Sequence, residues 1–201
     1  MNTTSPDQLI PLWPTWVGQS VLPQSEPHNA ALMDLATSSP HHSNLFDLEH
    51  STATWLKDHL QNALAQWFER MRVQPVPAFK LHAQMDVLAF GQYRELNNAP
   101  GAYLSGVYFV NEPDATSITH LRSDCLPSHF SILDPRVGFN ALALMGDPNI
   151  NETCTIKPVE STLMLWPAYL RHCSRVHLSD TPWVRVLFRV DLDLRRLQLK
   201  P

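Results

Sequence analysis

A histidine and an arginine in the last third of the chain have the setting of a ligand site. His172 follows an apolar run, residues 163–170, which predicts a buried strand that ends in a turn at Pro167. Arg185, thirteen positions later, opens a second apolar strand. Charged groups are rarely buried without a partner, and a planar guanidinium binds a carboxylate through two parallel hydrogen bonds. Two strand-borne groups pointing into one barrel could hold a metal ion and a carboxylate ligand respectively. The alternative is a core histidine and a surface arginine.

The elements that would position these residues change in character along the chain. Residues 1–50 are rich in proline, serine and histidine, and they predict an extended strap over 9–17, a short helix over 29–37 and a loop over 38–43. Residues 51–72 predict an amphipathic helix, capped by Ser51 or Thr52, that supports a sheet. Beyond it, apolar runs between turn residues predict short strands over 78–90, 103–110, 130–133, 154–159, 161–166 and 183–192.

This order of elements favours a mostly β protein with flanking α-helices. Strands that are not interleaved with helices form antiparallel sheets. We therefore expect a single domain over residues 1–201, with a β core over 78–192. Its predicted architecture is a double-stranded β-helix, or jelly roll, with the N-terminal helices packed on one sheet. Gly106 lies inside a predicted strand, where a glycine allows close packing.

The composition argues against several classes of partner. The formal net charge is −4 and only 17% of the residues are charged, so no basic surface is expected for nucleic acid or for an anionic membrane. No run approaches the roughly 20 apolar residues of a membrane span, and the first residues lack a signal-peptide pattern. The three cysteines at 125, 154 and 173 have no zinc-type spacing, which favours a reducing compartment. We expect a cytoplasmic protein.

One segment carries a resemblance to a known family. Residues 91–110 read GQYRELNNAPGAYLSGVYFV, and other short stretches agree in order: IPLWPT at 10–15, DPR at 134–136 and LWPAYLRH at 165–172. The pattern resembles a bacterial family of 2-oxoglutarate-Fe(II) oxygenases, in which H-x-H-P-G is followed by S-G-V-Y-Y. Arg185 falls where that family's arginine opens the last core strand. The resemblance runs almost from end to end.

The resemblance implies a double-stranded β-helix that holds Fe(II) in a facial triad of two histidines and, in most cases, a carboxylate. It implies that His172 is the distal iron ligand and that Arg185 binds the far carboxylate of 2-oxoglutarate. The family's first two histidines, however, fall on Asn97 and Ala99. Alanine cannot bind a metal, and a neutral amide oxygen is a poor iron ligand beside imidazole. Fe(II) and 2-oxoglutarate are therefore the expected cofactors only if the chain is active.

Other side chains were considered as replacement ligands. His82 and Asp86 lie four apart on a predicted strand, so they share a face with Gln84. The segment from His120 to His129, with Asp124 and Cys125 inside it, is an insertion relative to the family and could fold over the barrel mouth. Cys173 lies beside His172. The remaining candidates are thus His82, Asp86, His120, His129 and Cys173.

Three hypotheses follow for the function. The first is an Fe(II)/2-oxoglutarate-dependent dioxygenase that oxidises a C–H bond of a small molecule or a peptide. The second is an inactive relative that kept the barrel as a binding or scaffold protein, whose mouth could still bind a small acid through Arg185. The third is a cupin-like barrel with different metal chemistry. Iron binding through His172 separates the first hypothesis from the second. A barrel with open edges and a strap also favours a homodimer.

Overall fold

Short strands and two helices make up the computed structural model, which describes residues 14–38, 44–114, 126–136 and 153–193. The helices are α1, Glu26–Ser38, and α2, Ser51–Arg70, with a single 3-10 turn at Leu45–Asp47 between them. The strands are β1 (Gly18–Val21), β2 (Phe79–Leu88), β3 (Arg94–Asn97), β4 (Leu104–Phe109), β5 (Phe130–Leu133), β6 (Thr153–Ile156), β7 (Thr162–Pro167), β8 (His172–Ser174) and β9 (Trp183–Leu192).

The strands form two antiparallel sheets. The larger sheet has the order β1-β7-β4-β9-β2 and the smaller has the order β3-β8-β5-β6. With β1 set aside, the remaining eight strands divide equally between the sheets, as in the jelly-roll architecture. The prediction of a mostly β chain with antiparallel sheets is therefore confirmed. This order also makes β8 and β9, which carry His172 and Arg185, central strands of opposite sheets.

The inner faces of the two sheets share an aromatic core. Phe109 of the larger sheet lies 6.2 Å, centroid to centroid, from Phe130 of the smaller one, and Phe130 lies 5.3 Å from Trp166. Gly106 is the point of closest approach within the larger sheet. A Cβ atom added there would overlap the Phe188 ring and the Met164 carbonyl oxygen, so the close packing expected at this glycine is present.

The outer face of the larger sheet contacts the helices through a second apolar cluster. Phe68 of α2 stacks on Tyr103 with ring centroids 5.7 Å apart, and Tyr108 of β4 donates a 2.5 Å hydrogen bond to Asn29 of α1. The predicted apolar stripe of α2 is buried at Leu56, Leu60, Leu64, Trp67 and Phe68. The helix cap is not Ser51 or Thr52 as predicted. The side chain of His50 accepts the Thr52 N–H at 3.2 Å instead.

Three short strands were missed from the sequence, namely β1, β3 and β8. In β3 all four residues are exposed, so the strand has no alternation of apolar and polar positions to reveal it. The predicted strand over 154–159 is the shorter β6. Most of the predicted strap at 9–17 and of the loop at 38–43 lies outside the described residues. Among the helices that the structure describes, none is long and apolar enough to cross a membrane.

Candidate functional site

A cavity of about 360 Å³ opens where β3, β8 and β9 meet at one end of the two sheets. Its volume lies near the lower end of the range for small-molecule sites, about 300–1,000 Å³. The wall combines a guanidinium pair, a carboxylate, an imidazole, a thiol, a hydroxyl and an amide with three apolar side chains. The lining residues are Arg94, Glu95, Leu96, Asn97, Phe130, His172, Cys173, Ser174, Arg185 and Leu187.

His172 begins β8 on the wall of this cavity. Its Nδ1 lies 3.3 Å from the Leu170 carbonyl oxygen, which can only accept, so the proton of the neutral ring sits on Nδ1. The ring packs between Phe130 and Trp166, with centroid distances of 5.6 and 5.1 Å. Burial lowers the pKa of His172 from its ordinary value, and the nearby charge of Arg185 lowers it further. The imidazole is therefore neutral near pH 7, with Nε2 as its lone-pair nitrogen.

Asn97 is the β3 partner of His172 across the ladder. Directly opposed residues of an antiparallel pair have Cβ atoms about 5 Å apart, so this position suits a second ligand of a shared metal ion. The Asn97 side-chain oxygen, however, already accepts the Asn98 N–H at 2.8 Å. Ala99 contributes a backbone N–H to the Ala168 carbonyl at 3.2 Å and a methyl group. Asn97 thus lines the cavity and Ala99 does not, and neither position brings an imidazole to the site.

Arg185 lines the cavity at only 1% exposure, and three of its five N–H groups have partners within the protein. Nε and Nη2 both contact Oδ2 of Asp86, at 2.6 and 2.5 Å, and Nη1 donates to the Ser174 hydroxyl. The guanidinium also lies 4.5 Å above the Trp183 ring. Burial lowers the pKa of Arg185, and the charge and hydrogen bonds of Asp86 act against that shift.

Asp86 is shared with a second arginine. Arg94 of β3 contacts Oδ1 of Asp86 with Nε at 2.8 Å and with Nη2 at 2.6 Å. The Arg94 side chain is 47% exposed and the Asp86 side chain only 8%. Two guanidinium groups surround one carboxylate, and the Glu95 carboxylate in the cavity lining balances the second positive charge formally. Sequence patterns indicate Asp86 as a candidate metal ligand and do not single out Arg94, so this cluster is visible only in the structure.

The structure does not bring the remaining candidate ligands to His172. His82 lies four residues from Asp86 along β2, about 13 Å of strand, and pairs with Asp191 at 3.4 Å. Gln84, between them, is exposed. His129 contacts the Pro127 carbonyl at 2.7 Å. Cys173 does line the cavity, whereas His120, Asp124 and Cys125 lie outside the described residues. Within the parts of the chain that the structure describes, no three His, Cys, Asp or Glu side chains converge to hold a metal ion.

A fully buried histidine that the sequence did not single out is His177. Its Nε2 lies 2.7 Å from the Thr181 carbonyl oxygen, which fixes the proton there, so Nδ1 accepts the hydrogen bond of the Ser128 hydroxyl at 2.9 Å. Its backbone binds Gly91 and Gln92 at 2.7 and 2.8 Å. With both ring nitrogens satisfied, His177 joins three connecting segments and is not a ligand of the cavity.

The iron centre implied by the resemblance does not fit the described residues. His172 supplies one imidazole, and Glu95 and Cys173 also line the cavity, but no three such side chains converge among the described residues. The side-chain oxygen of Asn97 is engaged and Ala99 has no donor. One imidazole is not a facial triad. A 2-oxoglutarate carboxylate cannot bind side-on at the Nε–Nη2 edge of Arg185 as the side chains stand, because Asp86 occupies that edge, and Ser174 holds one N–H of Nη1.

Comparisons with known proteins show which fold the chain has, and they do not show its chemistry. No family model matches the chain, and no curated protein matches it. Solved structures do match. A prolyl-4-hydroxylase of Pseudomonas putida has a TM-score of 0.59 at 8% identity, over 89% of this chain and 86% of that one. HygX of Streptomyces hygroscopicus, with iron bound, has a TM-score of 0.60 at 9% identity, over 89% and 83%.

A third solved structure matches with a similar TM-score. The non-heme α-ketoglutarate-dependent epimerase SnoN from nogalamycin biosynthesis has a TM-score of 0.60 at 11% identity, over 88% of this chain and 76% of that one. HygX has also been solved with nickel and 2-oxoglutarate. Iron and 2-oxoglutarate are thus found on similar folds, in agreement with the cofactors that the resemblance implies for an active chain. The chain has the fold of 2-oxoglutarate-dependent oxygenases.

Proposed function

We propose that this protein is a metal-independent binding protein built on an oxygenase fold, and that the cavity between β3, β8 and β9 is its ligand site. One observation carries the proposal. The position opposite His172, where a second metal-binding imidazole would stand, is Asn97, whose amide oxygen is bonded to the backbone beside it. The cavity itself remains open and is lined by polar and apolar groups.

The lining indicates the kind of ligand. Phe130 and Leu187 offer apolar contact, and Nε2 of His172 is an acceptor held in one tautomer. Arg94, whose side chain is 47% exposed, retains one N–H of Nη1 beyond those given to Asp86 and to the Tyr93 and Val87 carbonyls. A small organic molecule with an apolar body and a hydrogen-bond donor directed at His172 would satisfy these groups.

The metal dependence of the site is the first test. Anaerobic uptake of Fe(II) is measured for the wild type and for His172→Ala, with and without 2-oxoglutarate. A binding protein without iron chemistry gives the same background uptake for both. Uptake of iron by the wild type that His172→Ala abolishes would contradict the proposal.

Occupation of the cavity is the second test. A library of small organic molecules is screened by thermal shift in the presence of a metal chelator, against the wild type and Leu187→Phe, in which a larger ring narrows the cavity. Val159→Phe, at a position 47% exposed away from the lining, is the matched control. Ligands of the site stabilise the wild type and the control and lose their effect with Leu187→Phe. Hits that all three variants bind equally would argue against this cavity.

A second candidate function is the dioxygenase itself, which oxidises a C–H bond of a small molecule or a peptide with Fe(II) and 2-oxoglutarate. The fold shared with the oxygenases favours it, as does the position of His172 on the wall of the cavity. It requires ligands from residues outside the described parts, for which His120 is the candidate. If the wild type takes up iron, loss of that uptake in both His172→Ala and His120→Ala would establish this alternative.

A further inference from the structure

The Nε–Nη2 edge of Arg185 is occupied by a carboxylate that belongs to the protein. Its Nε and Nη2 contact a single oxygen of Asp86, and Nη1 is bonded to Ser174. Side-on binding through Nε and one Nη is a geometry in which arginine recognises a free carboxylate. Asp86 therefore already occupies the position at which a ligand carboxylate would meet this side of the guanidinium.

We propose that Asp86 is a specificity-determining residue, an internal counter-ion that keeps carboxylate ligands away from Arg185. The consequence is that the cavity does not take a dicarboxylate in the orientation that directs one end at Arg185. The proposal concerns Arg185 alone and does not require that the cavity be a ligand site, so it stands or fails separately from the proposed function.

The register of the sheet explains why Asp86 prevails over a dissolved acid. Asp86 on β2 is the direct ladder partner of Arg185 on β9, in a pairing that continues over ten residues of each strand. The carboxylate is thus held in place by the fold and loses no translational freedom when it binds, whereas a free ligand does. A second carboxylate would also enter beside Asp86, which is 8% exposed and already paired with both arginines, and beside the Glu95 carboxylate of the lining.

Arg94 strengthens the arrangement from the other side. It binds Oδ1 of Asp86 while Arg185 binds Oδ2, so the carboxylate is held at both oxygens. A ligand carboxylate could displace Asp86 from Arg185 only if Asp86 moved toward Arg94. Arg94 is half-exposed on an edge strand and can meet solvent or ligand without such a movement.

The test removes the internal carboxylate and asks whether the site then accepts an external one. Binding of glutarate and of acetate is measured by calorimetry in a chelating buffer, since neither acid has the 2-oxo group that would bind a metal. The wild type should show no binding at millimolar concentration. Asp86→Ala should bind both acids at least tenfold more tightly, and Asp86→Ala/Arg185→Met should lose that binding.

A matched control is Asp191→Ala. It removes another carboxylate of the same sheet, one that contacts His82 and Arg189. It should create no carboxylate site. If Asp86→Ala is too unstable for calorimetry, its melting temperature is followed instead, and it should rise with glutarate more than with chloride at equal ionic strength. A folded Asp86→Ala that binds neither acid would overturn the proposal.

The wild type provides an independent outcome that does not depend on the folding of any Asp86 variant. Glutarate should leave its melting temperature unchanged relative to chloride. A glutarate-dependent rise in the wild type that is absent from Arg185→Met would show that Arg185 accepts external carboxylates despite Asp86, and that result would also overturn the proposal.

Discussion

Removal of the two arginines around Asp86, singly and together, should have a strongly non-additive effect on the free energy of unfolding. Arg94 and Arg185 each contact one oxygen of the same buried carboxylate. Either arginine alone therefore still compensates the charge of Asp86. Only the double variant Arg94→Met/Arg185→Met leaves the carboxylate buried without a cation among the residues that the structure describes.

The magnitudes follow from exposure. Arg94 is 47% exposed, so its loss should cost no more than the 0–1 kcal/mol of a surface ion pair. Arg185→Met removes a buried charge together with the contacts to Ser174 and Trp183, and since the desolvation cost of that charge is also removed, we expect a loss of about 1–2 kcal/mol. The double variant should lose about 3–5 kcal/mol, the usual cost of a buried ion without its partner.

Urea denaturation of the four proteins at pH 7 forms a double-mutant cycle that measures the coupling directly. We expect the double variant to lose about 1–3 kcal/mol more than the two single losses combined. Arg189→Met, an exposed arginine on the same strand, is the control and should show no coupling to Arg94→Met. If the losses of Arg94→Met and Arg185→Met simply add, Asp86 is not the shared counter-ion, and the reasoning about Arg185 fails with it.

Further predictions concern the scaffold around the site. Gly106→Ala should lose about 1–3 kcal/mol by urea denaturation, because the added methyl overlaps the Met164 carbonyl oxygen as well as the Phe188 ring; full recovery in Gly106→Ala/Phe188→Leu would show that the backbone contact is harmless. Burial raises the pKa of Tyr108 to about 12 from an ordinary 10.0. The phenol ionises at lower pH in the unfolded chain than in the folded protein. Its contribution to the free energy of unfolding is therefore fully present below pH 10.0 and is lost between pH 10.0 and about pH 12. Tyr108→Phe should therefore lose less stability than the wild type between pH 9 and pH 11, and an equal loss in both would contradict the assignment. His177→Leu should lose about 2–3 kcal/mol and become sensitive to proteolysis near Ser128, since it leaves the Ser128 hydroxyl and the Thr181 carbonyl without their partner; unchanged proteolysis would mean that those segments are held by other contacts.

Much of the fold could be predicted from the sequence because the long strands and α2 have strong patterns. The apolar runs of β4 and β7 are buried almost completely, most of β9 is buried, and the apolar stripe of α2 is buried as well. The short strand β3 could not be predicted, since its four exposed residues show no alternation. That strand matters most for the site, because it places Asn97 opposite His172 and brings Arg94 to Asp86.

The site could be predicted from the sequence only at Arg185, because a buried arginine requires a carboxylate or another acceptor as its partner. A buried arginine at 185 predicted a carboxylate, and the structure provides one, yet it comes from Asp86 on the neighbouring strand and not from a ligand. His82 and Asp86 do lie on the same face of β2, as strand geometry requires. That relation does not predict how far either residue lies from His172. His82 faces Asp191 instead. Pairing across strands depends on sheet order and register, which a single sequence does not contain.

Anaerobic Fe(II) binding by the full chain, in parallel with His172→Ala, tests the central claim most directly. Equilibrium dialysis with and without 2-oxoglutarate gives the iron content per chain, and the absorption spectrum reports any complex of iron with the 2-oxo acid. A barrel in which no three His, Cys, Asp or Glu side chains of the described residues converge should retain only background iron, equal in both proteins, with no 2-oxoglutarate-dependent band. Uptake of about one iron per chain by the wild type, with a band that His172→Ala lacks, would contradict metal-independent binding and restore the oxygenase.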